Sequence, residues 1–282
     1  MNKIIQRLCI FFIGIPVVIG LVFLDFYHQL PLHIVICSFS CIGAWELYHI
    51  FSKNSQLPPL LLVLILNAMI PVSAYVCVFF ALPFSYIQWV FAAGALIILG
   101  YNAFSSKTFE HSNTSAALSI FILFYTGYLI TFISRMTIYN NSVYYISVFL
   151  FMVFICDSAA WFIGMLFGKN NRGFVAASPN KSIAGFIGGI AGSVLAAYAA
   201  QLLWPEVFTG GLWKPAVLGL LISASAITGD LVESVFKRCS GFKDSGTIMM
   251  GRGGVLDSID SILYSAPVFY IALHFLYGVH IL

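Results

Sequence analysis

Residues 228–261 read TGDLVESVFKRCSGFKDSGTIMMGRGGVLDSIDS. Asp230 and Glu233 stand three residues apart, so on a helix they share one face. Asp257 and Asp260 repeat that spacing at the other end of the stretch. Between the two pairs lie Lys237, Arg238, Lys243, Asp244, Arg252 and five glycines, Gly241, Gly246, Gly251, Gly253 and Gly254. Carboxylate oxygens suit a divalent cation such as Mg²⁺, which keeps waters for substrate phosphates. Lys and Arg suit phosphate, and the glycines permit positive φ and close backbone approach to a ligand. The combination points to metal-assisted phosphoryl or nucleotidyl transfer. It is neither a Walker A nor a G-x-G-x-x-G motif, so it does not say which nucleotide.

A second stretch, GKNNRGFVAASPNKSIAGFIGG at 168–189, adds Lys169, Arg172 and Lys181. Ser178-Pro179 is a turn and helix-start signal, with Ser182 a few residues on. Gly185, Gly188 and Gly189 permit the following run to pack closely on a neighbour. The cations have two readings: topology determinants, or ligands for the phosphates of a nucleotide or an anionic lipid. Just upstream, Asp157 lies in the middle of the apolar run FICDSAAWFIG. There an ionised side chain needs a salt bridge or a polar cavity.

These residues are carried by membrane helices. The chain has 282 residues, 61% hydrophobic and 8% charged, far from the roughly 25% charged content of soluble domains. Nine apolar runs, about 8–24, 32–51, 58–81, 84–101, 116–135, 143–168, 182–204, 213–236 and 259–281, are each long enough to cross a bilayer as a helix. The expected class is therefore an all-α, polytopic integral membrane protein with about nine transmembrane helices. With the N-terminus placed in the cytoplasm, eleven Lys and Arg fall inside and two, Arg135 and Lys214, outside, as the positive-inside rule requires.

Residues 157–260 hold 15 of the 23 charged residues and seven of the ten carboxylates. The chain thus divides into N-terminal helices, 1–142, read as scaffold and dimerisation elements, and a catalytic region, 143–282, with cytoplasmic loops at 169–181 and 237–254. Glu46, isolated near a span end, reads as a side chain snorkelling to the cytoplasmic interface. The six cysteines form no CxxC pair and read as packing residues. A net charge of +3 is too small to suggest nucleic acid.

GDLVESVFKRCSGFKDSG followed by GRGGVLDSIDS resembles the signature of the phosphatidate cytidylyltransferases, or CDP-diacylglycerol synthases. DSAAWFIGMLFG and SPNKSIAGFIGG resemble that family's preceding motifs. The resemblance covers about the last 125 residues, and the first half agrees in hydropathy and length. It implies that CTP and phosphatidate from the bilayer give CDP-diacylglycerol and pyrophosphate, with Mg²⁺ and room for a second cation. It further implies a homodimer. Size and the lack of organelle-targeting features point to a bacterial inner membrane, and the Lys and Arg distribution puts the site on its cytoplasmic side. On the resemblance Asp230 and Asp257 are the metal carboxylates, and Lys243, Asp244, Glu233 and Asp260 join them as catalytic positions. Lys181, Ser178, Lys237, Arg238, Arg252 and Asp157 are the substrate-binding positions.

The chain departs from the family pattern in carrying Met250 for Pro, Arg252 for His, Ser258 for Arg and Ala184 for Glu. Arg252 can bind phosphate but cannot relay a proton near neutral pH as His can. Two other functions are weaker fits. A CDP-alcohol phosphotransferase would need DG-x2-AR before G-x3-D-x3-D, and this chain has Gly253, Asp257 and Asp260 in a G-x3-D-x2-D spacing. An ion-coupled transporter could use Asp157, Asp230 and Glu233, but the chain has no internal repeat.

Overall fold

In the bilayer an apolar segment must satisfy its own backbone hydrogen bonds, and helix is the solution available to a single span. A computed structural model describes residues 15–105, 109–249 and 253–280. It contains α1 (Ile15–Val22), α2 (Leu30–Ser52), α3 (Leu60–Phe79), α4 (Ser85–Ser105), α5 (Ser112–Ile122), a π-helical turn (Leu123–Tyr128), α6 (Thr131–Met136), α7 (Ser142–Phe167), α8 (Ile183–Leu203), α9 (Trp213–Cys239) and α10 (Leu256–Tyr277). Among the described residues, eight segments are long and apolar enough to cross a membrane, and the protein is a polytopic integral membrane protein. They match runs two to nine of the sequence. The first run falls partly outside the described residues, and of its described part Ile15–Val22 is helix. The fifth run is a composite of α5, the π turn and α6 within Ser112–Met136. Lys107 and Arg252 also lie outside the described residues.

Packing divides the described residues into two compact units, one falling within 1–138 and 236–259 and the other within 139–235 and 260–281. Residues 236–259, which include the glycine-rich loop, therefore pack with the N-terminal helices. The unit boundary falls inside α9 after Val235 and inside α10 after Ile259.

The core of the first unit includes Leu47, Val63, Ile70, Ile87, Ile98, Ile122 and Leu123, all fully buried. Buried Asn67 ties three elements together. Its Nδ2 donates to Ser40 Oγ at 2.9 Å, and its Oδ1 accepts from Thr126 Oγ1 at 2.9 Å. Thr126 also donates to the Ile122 carbonyl at 2.8 Å. Thr126, within the π turn, thereby links that turn to α3. Gly127 gives Asn67 its room, since a Cβ there would stand 2.7 Å from Oδ1. Phe51, Phe121, Tyr125 and Phe236 form an aromatic cluster with neighbouring centroids 5.2–6.2 Å apart.

In the second unit α8 lies against α7 along a seam of small residues. A Cβ on Gly185 would come within 2.8 Å of the Ala160 carbonyl, and one on Gly192 within 2.8 Å of Ala159 Cβ. Close backbone approach of this kind is how helices gain packing contacts without a hydrophobic driving force between them. Ser182 caps α8 by accepting from Gly185 N at 3.0 Å. The helix start therefore lies at Ser182, while Ser178-Pro179 belongs to the turn before it.

Candidate active site

The site residues expected from sequence fall into two groups, one in each unit. In the second unit the 168–182 loop is tied down at both ends. Asn171 accepts Ile183 N on its carbonyl at 3.1 Å, and Arg172 and Ser182 form an antiparallel bridge. The Ser178 carbonyl accepts Lys181 N at 3.1 Å, and that turn presents Lys181. Lys181 Nζ lies 2.6 Å from Asp230 Oδ2 and 5.8 Å from the Phe186 ring centre. The Asp230 side chain keeps 38% of its exposure, so water retains access to the pair.

Gly229 lets α9 and α10 meet at this level: a Cβ there would stand 2.7 Å from the Asp260 carbonyl. The Ser261 hydroxyl donates to the Ala226 carbonyl at 3.1 Å beside it. Asp260 is 5% exposed, and Asp157, Asp230 and Glu233 all lie within electrostatic reach of it. Among the described residues, its carboxylate accepts from Ser261 N at 2.6 Å and is paired with no Lys or Arg. A buried carboxylate among other acids calls for a counter-charge.

In the first unit α9 ends in a C-cap turn. Gly241, at φ +69°, follows the last helical residues, and Phe242 N donates to the Lys237 carbonyl at 2.8 Å. Lys237 Nζ is ion-paired to Asp257 Oδ1, and both side chains are under 10% exposed. Asp257 Oδ2 accepts from Gly254 N at 2.7 Å and from Ser245 N and Oγ at 2.9 Å each. Arg238 donates to the Phe242 carbonyl at 3.0 Å, and Lys53 Nζ sits 4.6 Å from the Phe242 ring centre. Lys243 and Asp244 are exposed. Met249 and Gly253 exchange two backbone bonds, at 2.8 and 3.1 Å.

Two features of this unit were not foreseen. Glu46 does not snorkel: it is fully buried. Its Oε1 accepts from Val255 N at 2.9 Å, and its Oε2 accepts from Leu256 N at 2.7 Å and Ser245 Oγ at 3.0 Å. Two of the loop glycines serve this contact. A Cβ on Gly246 would stand 2.5 Å from Glu46 Oε1, and one on Gly254 would overlap Glu46 and Ser245. Their lack of a side chain accommodates an internal carboxylate, where the sequence suggested a ligand. A lone acid inside a span was the signal for Glu46; Ser245 had none beyond its place after Lys243-Asp244.

The metal expectation can be set against these contacts. Each of the two acids expected to share a cation has a lysine of its own, Lys181 on Asp230 and Lys237 on Asp257. Among the described residues, no three His, Cys, Asp or Glu side chains converge closely enough to enclose an ion. The donor chemistry of Asp157, Asp230, Glu233 and Asp260 nevertheless fits Mg²⁺. All are hard oxygen ligands, and Asp260 is buried and paired with no Lys or Arg among the described residues.

A sequence model described as the cytidylyltransferase family matches residues 5–276. The chain belongs to the cytidylyltransferase family. It is accordingly a nucleotidyltransferase. Among curated members, the phosphatidate cytidylyltransferase of Staphylococcus haemolyticus (strain JCSC1435) is 33% identical over 208 residues, covering 71% of this chain and 77% of its own. Those of Staphylococcus saprophyticus and Staphylococcus aureus (strain COL) are 32% and 33% identical over 181 residues, covering 64% of this chain and 67% of theirs. The cytidylyltransferase match extends through the N-terminal helices, well beyond the C-terminal motifs that carried the resemblance.

Proposed function

We propose that this protein transfers the CMP moiety of CTP to phosphatidate, giving CDP-diacylglycerol and pyrophosphate for phospholipid synthesis. The observation that carries this reading is its family membership, with relatives named phosphatidate cytidylyltransferase at about one-third identity over most of the chain. The buried acids and paired lysines described above supply the chemistry such a transfer needs. A phosphatidate phosphate oxygen bonds to the α-phosphorus of CTP while the bond from that phosphorus to the β-phosphate bridging oxygen breaks. The attacking monoester is largely anionic near neutral pH, with a second pKa around 6 for comparable phosphates, so no strong base is needed.

Lys181 is a phosphate ligand that Asp230 holds in place until substrate arrives. Arg238 and Lys243, both exposed, offer charge to the phosphates from the 237–254 loop. Lys237, engaged with Asp257, orders that loop. One or two of the acids Asp157, Asp230, Glu233 and Asp260 would hold Mg²⁺, with waters and substrate phosphates completing its shell, and the ion when bound would screen phosphate charge and stabilise the leaving group. Asp257, with its oxygens engaged by protein donors, fits the organisation of the loop better than the direct ligation of an ion. The working form is a homodimer in a bacterial inner membrane, with its loops on the cytoplasmic side, as the distribution of Lys and Arg supports.

The test is purified protein supplied with labelled CTP and phosphatidate vesicles, with and without Mg²⁺. Labelled CDP-diacylglycerol formed only with Mg²⁺ is the expected result. Vesicle uptake of solute without a nucleotide-dependent lipid product would point instead to a transporter.

A further inference from the structure

The glycine-rich loop and the first turn of α10 are held from a residue about 200 positions away, on α2. Glu46 is fully buried, and its two oxygens take the Val255 and Leu256 amides and the Ser245 hydroxyl. The opening N–H groups of a helix lack intrahelical partners and are normally capped by a local side chain. In α10 that service is supplied by Glu46 across the unit. Gly43, one turn earlier on α2, lies within 3.6–3.7 Å of Leu256 and Ile259 measured from a Cβ built upon it. The contact is therefore a packed face as well as a set of bonds. Gly246 and Gly254 clear the space into which the carboxylate fits.

The link reaches Asp257 through one hydroxyl. Ser245 Oγ lies 3.0 Å from Glu46 Oε2 and 2.9 Å from Asp257 Oδ2. It has one proton to donate and two carboxylates to receive it. Ser245 and Gly254 also hold Asp257 Oδ2 with their backbone amides. The positions of both amides depend on a loop that Glu46 fixes.

We infer that Glu46 is a positioning residue for catalysis, acting through Ser245 and the Val255–Leu256 amides to set the orientation of Asp257. Buried glutamate serves this purpose because each oxygen accepts a backbone or hydroxyl donor, and charge-assisted bonds to an ionised acceptor are the stronger kind. This inference rests on the reading of Asp257 as part of the catalytic machinery.

The experiment measures turnover, both KM values and amide hydrogen exchange in wild type, Glu46→Gln, Ser245→Ala, Asp257→Asn and the Glu46→Gln/Asp257→Asn double variant. Turnover of Asp257→Asn tests the underlying reading by itself: near wild-type activity there defeats it, whatever the Glu46 variants do. For a positioning role, Glu46→Gln should lower kcat about 10–100-fold, the usual range for residues that orient others, with KM for CTP and phosphatidate near wild type. Exchange at Val255 and Leu256 should accelerate, and the double variant should be no slower than Asp257→Asn alone. Ser245→Ala should lower kcat in the same direction, by less, and decides the matter if Glu46→Gln does not fold. A folded Glu46→Gln with wild-type kcat, a double variant in which the two losses multiply, or a Ser245→Ala with unchanged kcat would each overturn the inference.

Discussion

Lys181 Nζ and Asp230 Oδ2 stand 2.6 Å apart, joining the SPNKS turn to the acidic face of α9. The two residues were expected in separate roles, one on phosphate and one on metal. Their pairing means that each governs the other's availability. An incoming phosphate competes with Asp230 for the ammonium group, and a cation competes with Lys181 for the carboxylate. Binding both together lets each released partner find a new one.

Lys181→Ala should therefore weaken substrate use while protein level and oligomeric state stay normal. A charged hydrogen bond is worth about 1.5–3 kcal/mol, which corresponds to roughly 10–100-fold in kcat/KM. Steady-state kinetics with each substrate varied in turn checks this. Unchanged affinity for both would leave Lys181 as a topology determinant.

Asp230→Asn and Asp257→Asn should both lower turnover sharply, to a residual rate that can still be measured, yet differ in stability. The Lys237–Asp257 pair is under 10% exposed on both sides, and removing one partner of such a pair costs about 3–5 kcal/mol. Asp230, at 38% exposure, leaves its lysine in contact with water. Thermal unfolding in detergent should show a large drop in Tm for Asp257→Asn and a small one for Asp230→Asn. Equal Tm values would remove the distinction drawn here between a structural and an accessible ion pair.

Gly254→Ala should inactivate the enzyme, because the added methyl overlaps Glu46 and Ser245. Gly100→Ala is the control. Nothing lies within 4 Å of a Cβ at that helical position, and Ala there should be neutral or stabilising by about 0.5–1 kcal/mol. Parallel activity and Tm measurements on the two variants make the comparison. An active Gly254→Ala would mean that the loop tolerates displacement from Glu46.

A reporter fused after Leu282 should read as external. Eleven Lys and Arg on one side of the nine-span arrangement against two on the other motivate this orientation. Cytoplasmic reporter activity at that position would mean an even number of spans.

The helices were legible because each apolar run had one structural solution in a bilayer. The capping of α8 by Ser182 and the close packing of Gly185 and Gly189 on α7 could likewise be read from local residue types. The π turn at Leu123–Tyr128 could not, because the side chain it packs against, Asn67, belongs to another helix. Glu46 was visible as a charge out of place, but its donors lie about 200 residues downstream, and no local spacing connects them. Asp230 with Lys181, and Asp257 with Lys237, appeared in sequence as a general supply of acids and bases. Which acid meets which base is a property of packing.

The capping of α10 by Glu46 also imposes an order in time. Glu46 enters the membrane 209 residues before Val255 is made. At synthesis rates of 5–20 residues per second, the carboxylate waits roughly 10–40 s for its partners. Throughout that interval it must keep to water at the bilayer edge, because an unbonded anion in hydrocarbon is too costly. Nascent chains cut short before residue 255 never acquire the amides that justify burying it. Such fragments keep a charge with nowhere to settle, so burial of Glu46 is complete only when the last span has been made.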